Sequence, residues 1–213
     1  SDWMKSSIQN SQLFKNRKVT KINYCLDSSV FNINSVQSNR KKLNLPLDKI
    51  IVLAGGSGNK IVRKGFDLLE KALLEIKKDN RIELAVFGEK TGKTQIAGFK
   101  THWLGKIKEE HSLAEIYNAV DIMCVPSRQE SFGQTAAESL ACGTPVVAFG
   151  VTGLLDIVDH KINGFLAEPY NPTDFAIGLN WIVNLIKIQE VQNSARNEQE
   201  SISYSELCKN ARK

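Results

Sequence analysis

The chain has 213 residues, 42% of them hydrophobic, and no apolar run near the roughly 20 residues that a membrane span needs. That length suits one large globular domain or a domain and a half. A net charge of +5 and a pI near 9.0 suit anionic ligands or a membrane surface but are mild enough for a solvated lysine-rich surface. Cys25, Cys124, Cys142 and Cys208 form no C-x-x-C pair, and Cys124 and Cys142 sit in apolar runs, as buried reduced thiols do. His102, His111 and His160 have no ligand spacing, so no metal site is expected. No signal peptide opens the chain, Ser1-Asp2-Trp3 reads as a cut within a longer protein, and the cytoplasm is the expected compartment.

Residues 1–48 are polar and Ser/Asn-rich, and only Val19–Tyr24 reads as a short strand. Trp3, Met4, Ile8, Leu13 and Phe14 fit one stripe of a helix, and 32–44 reads as loop and a short helix. The segment is read as a connector, with a frayed terminal extension as the other reading. A second region, 49–190, carries the fold, and 191–213 reads as a helical tail. Ile50–Ala54 is a buried strand running into Gly55-Gly56-Ser57-Gly58. A helix over 65–78 follows, with Phe66, Leu69, Leu73 and Ile76 on one face. Ile82–Phe87 is a strand stopping at Gly88, and Phe99–Leu104 is a weaker one ending at Gly105. Ser112-Leu113-Ala114-Glu115 forms a capping box that starts a helix running to Ala119.

The stretch Val125–Phe149 reads as a strand end, a turn, a helix over 133–142 with Gly143 as its C′ residue, and a second strand, Val146–Phe149. Asn171-Pro172-Thr173-Asp174 is a further helix start, and Phe175, Leu179, Ile182, Val183 and Ile186 give that helix its buried face. A last helix starts near Ser203. Strands alternating with helices at this spacing predict an α/β fold, a Rossmann-like parallel sheet with helices on both faces. In such folds ligands bind where the strands end. The strand-end loops that hold Gly56, Lys60, Arg63, Gly88, Gly105, Lys106 and Arg128 can therefore converge on one crevice.

Several glycine patterns fail on spacing. Gly56-x-Gly58 meets Ile61 where a dinucleotide fingerprint needs its third glycine. Gly92-Lys93-Thr94 would put the first P-loop glycine at Phe87, and no Gly-x-Ser-x-Gly elbow exists. The helix start at 132–134 is a better candidate. Its backbone N–H groups and partial positive charge suit a phosphate, and Gly133 allows close approach. Glu130 and Glu138 would repel phosphate, but each carboxylate can accept two hydroxyl donors. The expected ligand is thus part anion and part polyol, as a nucleotide sugar is.

Glu130-x7-Glu138, with Pro126-Ser127 before it and Ala141-Cys142-Gly143-Thr144-Pro145-Val146-Val147 after it, resembles the signature of glycosyltransferase family 4. The likeness continues through Lys64–Leu69, Gly105, Tyr117, Asp121, Thr152-Gly153, Asp156-Ile157-Val158 and Asn163-Gly164. Gln129–Thr135 looks closest to members that build bacterial surface polysaccharides. The resemblance implies the donor-binding, C-terminal half of a retaining GT-B enzyme that uses a UDP- or GDP-sugar. It puts Glu130 at the donor hexose and Glu138 at the ribose. The diphosphate falls at Phe132, Gly133 and Gln134, with Thr135 beside them. Lys64 would neutralise that diphosphate, and Gly105, Lys106 and Ile107 would meet the base.

The family's usual arginine falls at Asn59, so Lys60 or Arg63 is expected to supply its charge. Arg128 is either near the ligand or in solvent. The resemblance further implies a glycan or lipid-linked acceptor held by a first domain that is not in this chain, so that the fragment alone would bind a donor without turning it over. It implies no metal or other cofactor, no nucleic acid, and peripheral attachment of the full-length protein at the inner face of a membrane. A sugar-nucleotide epimerase of the same fold and a non-catalytic α/β interaction domain are the alternative readings.

Overall fold

The computed structural model describes residues 1–55, 61–88, 92–195 and 203–211. It is an α/β domain around a seven-stranded sheet in the order β3-β4-β2-β1-β5-β6-β7. The strands are β1 (Ile50–Gly55), β2 (Ile82–Phe87), β3 (Gln95–Ile96), β4 (Phe99–Gly105), β5 (Ile122–Val125), β6 (Val146–Phe149) and β7 (Gly164–Ala167). All adjacent pairs are parallel except β3 with β4, so the expected parallel sheet gains one short antiparallel edge. The largely apolar strands become its centre: β2, β5 and β6 are buried along their whole length, as a sheet covered on both faces requires, with the one charge of β2, Glu83, bonded to His102 at 2.6 Å.

The helices are α1 (Asp2–Gln9), α2 (Val36–Lys42), α3 (Phe66–Glu75), α4 (Glu110–Ala119), α5 (Gln134–Ala141), α6 (Pro172–Ala195) and α7 (Tyr204–Ala211). α3 packs on α6; α2 packs on α4, and α4 on α5. α6 starts where the sequence places it: Asn171 Oδ1 accepts from the N–H groups of Thr173 and Asp174 at 3.1 and 3.2 Å. Its Phe175, Leu179, Ile182, Val183 and Ile186 are all buried.

Several local expectations are corrected. Residues 19–24 form no strand; no described strand runs beside them, and Ile22 and Tyr24 stay exposed. Leu13 and Phe14 do not continue the α1 stripe but sit exposed in turns beyond it. α3 ends at Glu75 rather than Lys78, because Ile76 turns to an extended conformation. α4 begins at Glu110, before the capping box: the Leu113 N–H donates to the Glu109 carbonyl at 3.1 Å, closing the first turn earlier. An acidic residue in that turn suits the positive end of the helix.

The chain leaves β1 toward β2 and β4, then crosses back to β5 on the other side of β1. The crevice outside the carboxyl ends of β1 and β5 is therefore the topological switch point. Residues before β1 also belong to this unit, since Phe31 and Leu45 lie in the same core as the strands. Arg40 on α2 donates to the carbonyls of Ala119 and Lys49 and pairs with Asp121 at 2.5 Å.

Candidate functional site

At the switch point lies a cavity of about 730 Å³. Phe87 and Gly88 form its wall at the end of β2, and Lys106, Ile107 and Lys108 its wall after β4. Leu113 and Tyr117 come from α4, and Gln134, Thr135 and Glu138 from α5. Arg63, Lys64 and Glu130 close the remaining side. Loops that are distant in sequence therefore meet, as the strand-end argument requires. Four basic and two acidic side chains line the cavity, a balance that suits an anion accompanied by hydroxyls.

α5 opens at Gly133, whose φ of +102° is a backbone conformation that other residues rarely adopt. Its first intrahelical bonds run from the Ala136 and Ala137 N–H groups to the Gly133 carbonyl, at 2.9 and 3.1 Å. The N–H groups ahead of them have no place in the helical ladder. Glu138, one turn further on, is 4% exposed. Tyr117 Oη donates to its Oε2 at 2.8 Å. Burial raises the Glu138 carboxyl above its ordinary 4.5, against the bonds from Tyr117 and Gln134 that favour the charged form. Burial, and after it the same carboxylate, push the Tyr117 hydroxyl well above its ordinary range, so it remains a donor.

Glu130 is held from several sides. Lys64 Nζ pairs with its Oε1 at 2.7 Å, Ser127 Oγ donates to the same oxygen at 2.8 Å, and Arg63 stands 3.6 Å from Oε2. Its own N–H donates to Thr152 Oγ1 at 2.9 Å, and its carbonyl accepts from the Gly153 N–H at 2.9 Å. Lys64 reaches this place because a short 3₁₀ turn, Val62–Lys64, is pressed against the loop after β5. Gly65 permits that contact: with φ of +66°, a Cβ there would meet the Pro126 carbonyl oxygen at 1.8 Å.

The sequence-predicted residues thus separate into groups. Arg63, Lys64, Gly88, Lys106, Ile107, Glu130, Gln134, Thr135 and Glu138 come together on one cavity. Phe132 and Gly133 line a neighbouring cavity of about 480 Å³ that shares Arg63, Glu130 and Gln134 with the first. Gly105 ends β4 and accepts from the Gly88 N–H at 2.8 Å, bracing the wall rather than forming it. Gly56 and Lys60 lie outside the described residues. Arg128 is not brought to the cavity wall. Its guanidinium donates two parallel hydrogen bonds to the Asp67 carboxylate at 2.7 and 2.8 Å and a third to the Val62 carbonyl, latching the Lys64 turn to the Glu130 loop. The sequence marked Ser127, Tyr117 and Thr152 only as part of the resemblance, and their bonds to Glu130 and Glu138 were not foreseen. Ser127 had a local signal in its loop position three residues before Glu130. Thr152, which adopts φ of +51°, lies 22 residues from Glu130 and had no local one.

Among the described residues no group of three or more His, Cys, Asp or Glu is placed to hold a metal ion. No described helix is long and apolar enough to cross a membrane.

A doubly wound sheet with a cation-rich crevice at its switch point and a helix start beside it defines a class of α/β domain whose crevice suits phosphorylated ligands. Residues 35–199 match the family described as glycosyl transferases group 1, and the chain belongs to that family. It is similar to the D-inositol 3-phosphate glycosyltransferase of Xylanimonas cellulosilytica, 36% identical over 148 residues covering 64% of this chain and 34% of that protein. The sucrose-phosphate synthase of Thermosynechococcus elongatus superposes on all of this chain and 51% of its own, with a TM-score of 0.77 at 25% identity. Anabaena HepE, solved in complex with UDP and glucose, covers 90% of this chain and 50% of its own, with a TM-score of 0.68 at 19% identity. The chain thus spans about a third of that curated relative and about half of these structural neighbours, which are GT-B glycosyltransferases.

Proposed function

We propose that this chain is the donor-binding half of a retaining glycosyltransferase of family 4 that moves a hexose from a UDP- or GDP-sugar to a glycan or lipid-linked acceptor in polysaccharide synthesis. The observation that carries the reading is the placement of Glu138. It is a buried carboxyl with hydroxyl and amide donors but, among the described residues, no cation in contact, one turn inside a helix whose start faces the same cavity. Such a group is poised to accept vicinal hydroxyls, as ribose offers, while the helix start takes the diphosphate beside it.

In this account the base lies toward Gly88, Lys106 and Ile107. The diphosphate meets the Gly133–Thr135 backbone and Lys64, and the hexose extends past Glu130. As the bond between the anomeric carbon and the diphosphate breaks, negative charge grows on the leaving oxygen. Lys64 and the preorganised N–H groups stabilise it there. The acceptor hydroxyl enters on the same face, so the configuration is retained. It is held by a partner domain of the whole protein, which works at the inner face of the membrane without a metal.

Thermal-shift and calorimetric titration with UDP, GDP and ADP tests the reading. Stabilisation by UDP or GDP supports it, and no stabilisation by any nucleoside diphosphate overturns it in favour of an interaction domain. Product analysis of the full-length enzyme separates transfer from epimerisation, which would release a free isomeric nucleotide sugar.

A further inference from the structure

The second cavity has a wall that the donor reading leaves unused. Its lining includes Tyr24, from the segment ahead of β1, together with Gln129, Glu130, Ser131 and Phe132. The Tyr24 ring stacks on Phe132, with centroids 5.3 Å apart and planes 25° from parallel. Tyr24 is nonetheless 66% exposed, so this stack is a surface facing a cavity and not part of the core. Phe132 is a firm base for it, because the backbone before it is tied down through Glu130 to Thr152 and Gly153. The strap that carries Tyr24 is anchored as well: Lys21 Nζ pairs with Asp2 at 2.9 Å and stands 3.6 Å from Asp156.

An aromatic pair beside a carboxylate and a guanidinium has a specific chemical preference. The ring faces suit C–H groups, while Glu130 and Arg63 suit hydroxyls. A pyranose offers both, an apolar ring face and a rim of hydroxyls. Because this cavity shares Arg63, Glu130 and Gln134 with the larger one, a ligand can run from one into the other. Nothing of Tyr24 lines the larger cavity, where a nucleotide would lie.

We infer that Tyr24 is a specificity-determining residue for the transferred sugar, forming with Phe132 an aromatic wall that contacts the pyranose and leaves the nucleoside diphosphate untouched. The inference rests on the donor-binding reading above. It also gives residues 1–48 a part in the site, beyond that of a connector.

Titration calorimetry on the full 213-residue chain tests it, with UDP against UDP-glucose and GDP against GDP-mannose, for wild type, Tyr24→Ala and Tyr24→Phe. The expected result for Tyr24→Ala is nucleoside diphosphate affinity within about twofold of wild type and nucleotide-sugar affinity lower by about tenfold. Tyr24→Phe keeps the ring and should retain most of the sugar's contribution. The unchanged diphosphate affinity also reports that the variant is folded. Equal loss for diphosphate and nucleotide sugar, or no loss for either, overturns the role of Tyr24 while leaving the donor-binding reading intact. Failure of wild type to bind any of the four ligands removes both.

Discussion

Asp121 and Glu138 are two largely buried carboxyls at opposite ends of the sheet, and burial pushes both above their ordinary range. Their surroundings differ. Asp121, just before β5, meets the Arg40 guanidinium at 2.5 Å and accepts from the Ile51 N–H at 2.7 Å, while its own N–H donates to the Ile51 carbonyl. Glu138, beyond the opposite end of the strands, has the neutral Tyr117 hydroxyl and Gln134 side chain. Asp121 is a closed ion pair that joins α2 to β1 and β5. Glu138 is a carboxyl whose desolvation is only partly offset by the described residues and which faces a cavity. The contrast teaches that burial alone does not mark a carboxylate open to a ligand: of these two, only Glu138 faces a cavity with no cation from the described residues against it.

If that distinction holds, the two sites respond differently to mutation. Asp121→Ala leaves Arg40 buried and uncompensated and should cost about 3–5 kcal/mol of stability, read as a lower urea midpoint. Glu138→Ala should fold, yet weaken nucleoside diphosphate binding by about tenfold to a hundredfold, since bonds to a charged group are worth roughly 1.5–3 kcal/mol. Lys64→Met should weaken the same binding by about tenfold and flatten its dependence on salt, because one charge facing the diphosphate is removed.

The smallest effect concerns pH. The folded Glu138 carboxyl titrates above 4.5, so the fold favours its protonated form. Its contribution to stability is therefore fully present below the unfolded value and is lost as pH rises through the folded value. Glu138→Gln removes that loss. The variant should melt slightly higher than wild type at pH 7.5, and the difference should shrink as the pH falls toward 4.5. Melting curves across that range check it; an unchanged difference would show that Glu138 does not titrate in this way.

The chain revealed most where local pattern and tertiary demand agree. β1, β5 and β6 are continuous apolar runs, and β2 is one but for Glu83, because both faces of the sheet are covered, and Asn171-Pro172 starts α6 with the Asn171 side chain. The Glu130 and Glu138 pair was legible from its spacing and flanks. What stayed hidden depends on partners far along the chain. Arg40 and Asp121 are 81 residues apart, and Arg128 reaches back 61 residues to Asp67 instead of turning toward the ligand. Val19–Tyr24 looked like a strand because β-favouring Val19, Thr20, Ile22 and Tyr24 say nothing about whether a neighbour exists to pair with them. The two-residue β3 escaped because Gln95-Ile96 is too short to show a period, and β7 because Gly164–Ala167 opens on a glycine and holds no β-branched residue, unlike the equally short β6.

The most direct test of the account is a side-by-side titration of wild type and Glu138→Ala with UDP and with GDP. The account predicts that wild type binds one of the two and that the variant binds it at least about tenfold more weakly while melting as a folded protein. Equal affinity in the two proteins would place the nucleotide away from Glu138 and contradict the proposed site.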